Sequence, residues 1–487
     1  MSSTRAVVIG AVVIGLGMAA VGYVLALLTG PEVPEGFLDG EYVRVTPEED
    51  LAAIVAANPA GTTYLVGRGV HRGHTIAPKD GDTIVGEPGA VLSGAVELTT
   101  EDFSETDEGW VSGERTEEPF FHGPTYDGFE RHAAQHELWG GVERLEHVAT
   151  RAEVDEPGEW FFDYDADEIL MFDPPSRYLG LELSVLDDGI RSEAADVTIR
   201  DLTVTRYATR AQIGAIQADG PGWDLSNLTV TDNHGVGVRL GDGAQLRDSL
   251  VSNNGQMGVR GERGSGMRVE NTEIAYNASL QFEWFWEASG TKFLYVRDFT
   301  FINNWVHHNG GPGIWFDIDT YDSAVIGNLA EHNEVMGMFI EASFGAEITS
   351  NTFRNNGFGP NAGRLGAGLS VSAVSDAVVT DNRFEDNAIE FSGIHYRRES
   401  EETGETYTIE GLVFSDNHVE ANSEGAVAFY VDTGEDELYD SDQITFTDNT
   451  YVLGDCEQCF QWGELIDTRG WLALGNDSEA AIQQASG

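Results

Sequence analysis

From residue 195 onward a short unit recurs in which apolar and polar positions alternate before an Asn or Asp. It is read at Val197–Asp201, Trp223–Asn227, Ala244–Asp248, Met267–Asn271 and Thr300–Asn304. It returns at Ala324–Asn328, Glu347–Asn351, Val378–Asn382, Val413–Asn417 and Thr445–Asn449. Period-two alternation is the signature of a strand with one face in and one face out. The units recur every 21 to 35 residues. That leaves room for about three short strands and their turns, with no helix. Stacked units of this kind bury a continuous core and form three parallel sheets. Several units carry a second Asn five residues on: Asn304/Asn309, Asn328/Asn333, Asn351/Asn356, Asn382/Asn387 and Asn417/Asn422. Asn tolerates left-handed turns, and stacked amides can bond from one coil to the next.

Before the repeat, Thr46-Pro47-Glu48-Glu49 predicts a capping helix running to about Ala57, with a Thr cap and Pro at the first helical position. Short apolar pieces at Tyr64–Val66, Thr75–Ile76, Thr83–Val85 and Val91–Leu92 read as strands. Residues 103–182 break the rhythm and read as a β-rich insertion. Within it, Trp160–Asp165 and Ile169–Phe172 form a hairpin around Asp165–Asp167. At the start, Ala6–Leu28 is an uncharged stretch of 23 residues. That is long enough to span a bilayer and longer than a signal-peptide core. Arg5 precedes it and acidic residues follow, which places the N-terminus in the cytoplasm and the bulk outside the cell. The expected organisation is therefore an all-β solenoid behind a transmembrane helix. Residues 1–30 are the cytoplasmic tip and anchor, 31–40 a linker, and 41–102 the capping helix and first rungs. The insertion at 103–182, the main solenoid at 183–455 and a C-terminal cap at 456–487 follow.

Composition narrows the reading. A hydrophobic content of 41% excludes a disordered chain. The net charge is −56, and only Lys79 and Lys292 are lysines. Such an acidic surface is stable where salt screens self-repulsion, as in extreme halophiles, and it repels nucleic acid. It also lowers the weight of any single carboxylate. Cys456 and Cys459 cannot hold a tetrahedral zinc alone, and no thioredoxin-like context surrounds them. A small loop-closing disulfide is the simpler expectation.

The strings Gly69–Arg72, Ala77–Gly81, Ile84–Gly94, Glu287–Lys292, Asn304–Asn309 and Gly313–Asp317 resemble a largely uncharacterised cell-surface group of the right-handed parallel β-helix repeat family. This is the pectate-lyase-like superfamily. The resemblance covers about residues 40–455. It implies extracellular polysaccharide chemistry by lyases, hydrolases or epimerases, or a non-enzymatic spike. Fold alone does not choose among them.

The candidate chemistry lies at residues 283–343. Aligned by the glycine that precedes most of these strands, Phe285, Trp315 and Phe339 form an outward aromatic column beside Glu287, Asp317 and Glu341, and Ile394 and Tyr396 face inward. Ser372 continues the acid column, and His395 and Arg397 extend the face. Rungs lie about 4.8 Å apart, near the carboxylate spacing of retaining glycosidases. Neighbouring carboxylates repel, so one should keep its proton. The reading expects Asp317 and Glu341 as acid and base, Glu287 and Lys292 as modulators, and Trp315, Phe339, Phe285 and Ser372 as the sugar platform. Arg397 or Lys292 would be the base in a lyase, with His395 beside it. Asp317, Asp319 and Asp322 offer oxygen ligands for Ca2+, which lyases of the superfamily often use. The expected partner is a surface glycan. The alternative is a glycan-binding or structural spike without catalysis.

Overall fold

The computed structural model describes residues 38, 40–431, 438–439, 443–478 and 480–485. The expected membrane span at 6–28 lies outside the described residues. Among these, no helix is long and apolar enough to cross a membrane.

The repeat units stack as expected. One face is built from Thr198–Arg200, Asp224–Ser226, Gln245–Arg247, Arg268–Glu270 and Thr300–Ile302, each paired in parallel with the next. A second contains Thr203–Thr205, Thr229–Thr231, Leu250–Ser252, Glu273–Ala275 and Trp305–His307. The third contains Gly214–Ala218, Val236–Leu240, Met257–Ser265, Ser289–Arg297, Ile314–Asp317, Met336–Thr349, Ala367–Thr380, Phe391–His395 and Val427–Val431. Long strands such as Met336–Thr349 run round one corner, so the first and third faces form a single 23-stranded sheet; the second belongs to a 13-stranded sheet. Inward residues of the third face, among them Val238, Val259, Phe293, Phe316, Ile340 and Val371, are fully buried. Each such side chain stabilises the fold by about 1.5–3 kcal/mol relative to exposure.

Asparagines bind the coils together in two ladders. One runs through Asn233, Asn254, Asn277, Asn309, Asn333, Asn356 and Asn387, with Nδ2 donating to the next Oδ1 at 2.9–3.1 Å. The other runs through Asn304, Asn328, Asn351, Asn382, Asn417 and Asn449. Each Oδ1 also accepts a backbone N–H from the preceding rung, as in Asn309 with Asn333. The ladders satisfy buried polar groups where the chain turns. In these coils the left-handed residue precedes the ladder asparagine, as at Asn303, His308 and His332. In earlier coils the unit-ending residue itself is left-handed, as at Asn227 and Asn271. Asn422 is not a ladder member. It donates to Asp386 instead, because Glu390 already closes that ladder on Asn387. Asp477 closes the other on Asn449.

The capping helix starts later than Thr46 suggests. It spans Leu51–Ala57, and Asp50 caps it by accepting from the Ala53 N–H at 2.9 Å. Thr46–Glu49 is a separate turn held by Glu49 on the Thr46 N–H. The insertion carries the expected hairpin, Glu159–Asp163 against Glu168–Met171, over a core of Trp160, Phe162, Ile169 and Met171. At the far end, Cys456 and Cys459 form a disulfide and Trp471 stacks on Phe460.

Candidate active site

The register of the third face rests on glycines. Gly237, Gly258, Gly290, Gly313, Gly337 and Gly368 each lie against a ladder asparagine, where a Cβ would come within 2.6–2.9 Å of the amide. The next residue points inward and the one after it outward. The outward column is therefore Arg239, Arg260, Lys292, Trp315, Phe339, Ser370 and Ser392. Two residues further along each strand lies the column Glu262, Leu294, Asp317, Glu341, Ser372 and Ile394.

Several expected positions are thereby corrected. Phe285 and Glu287 are not in a strand. Residues Trp284–Trp286 form a 3-10 turn, and Glu287 is left-handed with φ 85°. Lys292 holds the place assigned to Phe285. Glu287 reaches the site from the turn instead. Phe285 is 70% exposed and stacks on Trp284. Trp315 and Phe339 are in the outward column but are only 3% and 8% exposed, covered by Trp284 and Ala362. They do not offer an open stacking face. Ile394 and Tyr396, expected to face inward, do not, because Gly393 is itself the inward residue and packs on Phe429. One residue of slip exchanges the two faces of a strand. His395 is consequently buried, with its Nδ1 near the Ile409 N–H, and is absent from the acid column. Arg397 is exposed, and it is Arg398 that faces Asp317.

The remaining residues converge. Lys292 Nζ lies 2.9 Å from Asp317, 3.6 Å from Glu287 and 3.6 Å from the centre of the Trp315 ring. Glu287 is also held by Arg260 and by Gln212 Nε2 at 2.9 Å. Burial would raise its pKa, but Lys292 and Arg260 outweigh burial and hold it low. Glu341 accepts from Trp315 Nε1 at 3.3 Å and from the Tyr396 hydroxyl at 3.2 Å. Burial, and then the negative charge of Asp317, push its pKa up to about 7 against the opposing pull of Lys292 and Arg398. Arg398 lies 3.8 Å from the other oxygen of Asp317.

Residues 214–365 match the family model described as the right handed beta helix region. The chain is a right-handed β-helix. This β-helix is similar to XylC, solved in complex with xylose, at 12% identity over 91% of this chain and 86% of that one, with a TM-score of 0.66. It is similar to the A-module of the Azotobacter vinelandii mannuronan C-5 epimerase AlgE6 at 14% identity over 92% and 100% of the two chains, with a TM-score of 0.54. At such identities the likeness is one of fold. No curated protein matches the sequence.

Two walls border the site on the β-helix. The insertion lays Gly123 against Trp286, and the Tyr126 N–H donates to Gln281 at 2.9 Å. On the other side the segment from Tyr396 to Ile409 crosses Asp317 and Glu341. The proposed calcium ligands do not converge. Asp317 faces Lys292, Asp319 accepts from Ser400 Oγ at 2.7 Å, and Asp322 is exposed. Left-handed residues at Ile318, Asp319 and Asp322 turn the three apart. Among the described residues no group of three His, Cys, Asp or Glu side chains is placed to hold a metal. The residues missed in the sequence are Arg260, Gln212, Tyr396 and Arg398. The outward place of Arg260 was legible; the arm carrying Tyr396 and Arg398 was not.

Proposed function

We propose that this protein hydrolyses a glycan, with Glu341 as the proton donor and Asp317 as the second carboxylate. The observation that carries the reading is a carboxylic acid with a pKa of about 7 one rung from a carboxylate that faces a lysine and an arginine. A proton donor of that pKa is half charged at neutral pH, which suits a general acid. Protonation of the glycosidic oxygen by Glu341 would leave a developing positive charge on the sugar, beside Asp317. The spacing of about one rung favours retention of configuration. Asp317 is 5% exposed, with Lys292 on one oxygen and Arg398 facing the other. The elimination reading has less support, because Lys292, one of its candidate bases, is engaged by two carboxylates. The similar structures are named for xylose and for mannuronan, which favours a carbohydrate ligand here too. The apolar segment 6–28 supports a protein anchored in a membrane with the β-helix outside. The test is release of new reducing ends from a panel of glycans in high salt, by wild type and by the Asp317→Asn/Glu341→Gln double variant. Cleavage lost in the variant supports the reading. Binding without turnover by wild type would instead make the protein a glycan-binding spike.

A further inference from the structure

A cavity of about 410 Å3 opens on the same face as the carboxylate pair, toward the N-terminal rungs. Phe120, Asp187, Asp188, Arg191, Arg210 and Gln212 line it. Gln212 joins it to the site, since its Nε2 donates to Glu287. The rung register connects it as well. Arg191 pairs with Gln217, and the column continues through Arg239 and Arg260 to Lys292. That is four rungs, about 19 Å at ordinary strand spacing. Its volume suits a sugar ring or two.

The charges in this cleft are already matched. Arg210 lies 3.0 Å from Asp187. Arg191 lies 3.6 Å from Asp188 and 3.4 Å from Asp219. Arg239 contacts Asp219 at 2.6 Å, and Arg260 contacts Glu287 and Glu262. Lys292 and Arg398 face Asp317. An incoming carboxylate would have to compete with the protein's own for each of these cations, in a chain of net charge −56. What the pocket offers is different. Phe120 gives it an exposed apolar ring, and Asp188 gives it a carboxylate that accepts hydrogen bonds. A sugar ring can pack on the one while its hydroxyls donate to the other; a carboxylate accepts only and would be repelled by Asp188.

We propose that this cavity is a distal subsite for a neutral, hydroxyl-bearing sugar, and that the substrate is a neutral glycan rather than a polyuronate. The proposal rests on the hydrolase reading above. An oligosaccharide long enough to fill the cavity and the Asp317/Glu341 site together gains contacts that a short one lacks. The experiment compares kcat/KM on neutral glucan, xylan and mannan oligosaccharides of increasing length with that on oligogalacturonates and oligoalginates, at several salt concentrations. The expected result is cleavage of a neutral series, with long chains favoured over short ones by at least tenfold. Asp188→Asn and Phe120→Ala should each shrink that advantage several-fold, with circular dichroism confirming that each variant folds. Glu341-dependent cleavage of polyuronates in preference to neutral chains overturns this inference and leaves the hydrolase reading intact. A chain-length advantage that survives in both folded variants also overturns it. No cleavage of either class removes the hydrolase reading itself, and the inference with it.

Discussion

Glu341→Gln should flatten the dependence of stability on pH, and the size of the effect follows from the raised pKa. An unfolded Glu titrates near 4.5, whereas Glu341 in the folded protein titrates at about 7. Below pH 4.5 both states hold the proton and the group is neutral in its effect. As pH rises, the unfolded chain releases its proton first and the folded protein keeps it, so stability is lost until about pH 7. The difference amounts to about 3 kcal/mol at 1.36 kcal/mol per unit, an upper bound because the carboxyl is partly exposed. The many other carboxylates titrate in both proteins, so only the difference between wild type and variant is informative. The assay is urea unfolding followed by tryptophan fluorescence from pH 4 to pH 8 at constant salt. The variant should gain on wild type as pH rises, reaching about 2–3 kcal/mol by pH 8. A difference that stays flat, or one that grows toward acid, would show that Glu341 holds no unusual proton.

On a cleaved glycan, the alkaline limb of kcat/KM should fall near pH 7, and Lys292→Met should move it upward, because Lys292 pulls the Glu341 pKa down; a limb that stays in place contradicts this assignment. Glu390→Ala removes the acceptor of the Asn387 N–H and one of the two acceptors of its amide, and urea unfolding should show a loss of about 2–4 kcal/mol. Asn309→Ala breaks the same ladder in its middle, leaving the Asn277 N–H without an acceptor and its amide with the Val251 carbonyl alone, and should cost about 2–3 kcal/mol by the same measurement.

The solenoid was legible because its causes are local and repeated. Alternation sets each strand, and the asparagines at a spacing of five supply both ladders over four consecutive coils. The insertion hairpin was legible for the same reason. The site was legible only where the glycine signal was followed. Gly313 and Gly337 place Trp315, Asp317, Phe339 and Glu341 correctly. At residues 285–289 the likeness to the strand 339–343 misled, since a 3-10 turn and a strand can share a short aromatic and acidic string. Gly290, which makes room for the Asn309 amide, marks the true rung and puts Lys292 in the column. Gly393 misled in the opposite way, because that glycine makes room for the Phe429 ring inside the coil. The burial of Trp315 beneath Trp284 and the approach of Arg398 to Asp317 depend on excursions between rungs. Their paths follow from tertiary packing, which period and spacing do not encode.

In the proposed function the Asp317 and Glu341 carboxyls together cleave a glycosidic bond. The most direct measurement is the release of reducing ends by wild type, Glu341→Gln and Asp317→Asn from one glycan on which wild type is active. Each single variant should lose about a hundredfold or more in kcat/KM, the size expected for removal of a general acid–base group. Variants that cleave as fast as wild type would contradict that function.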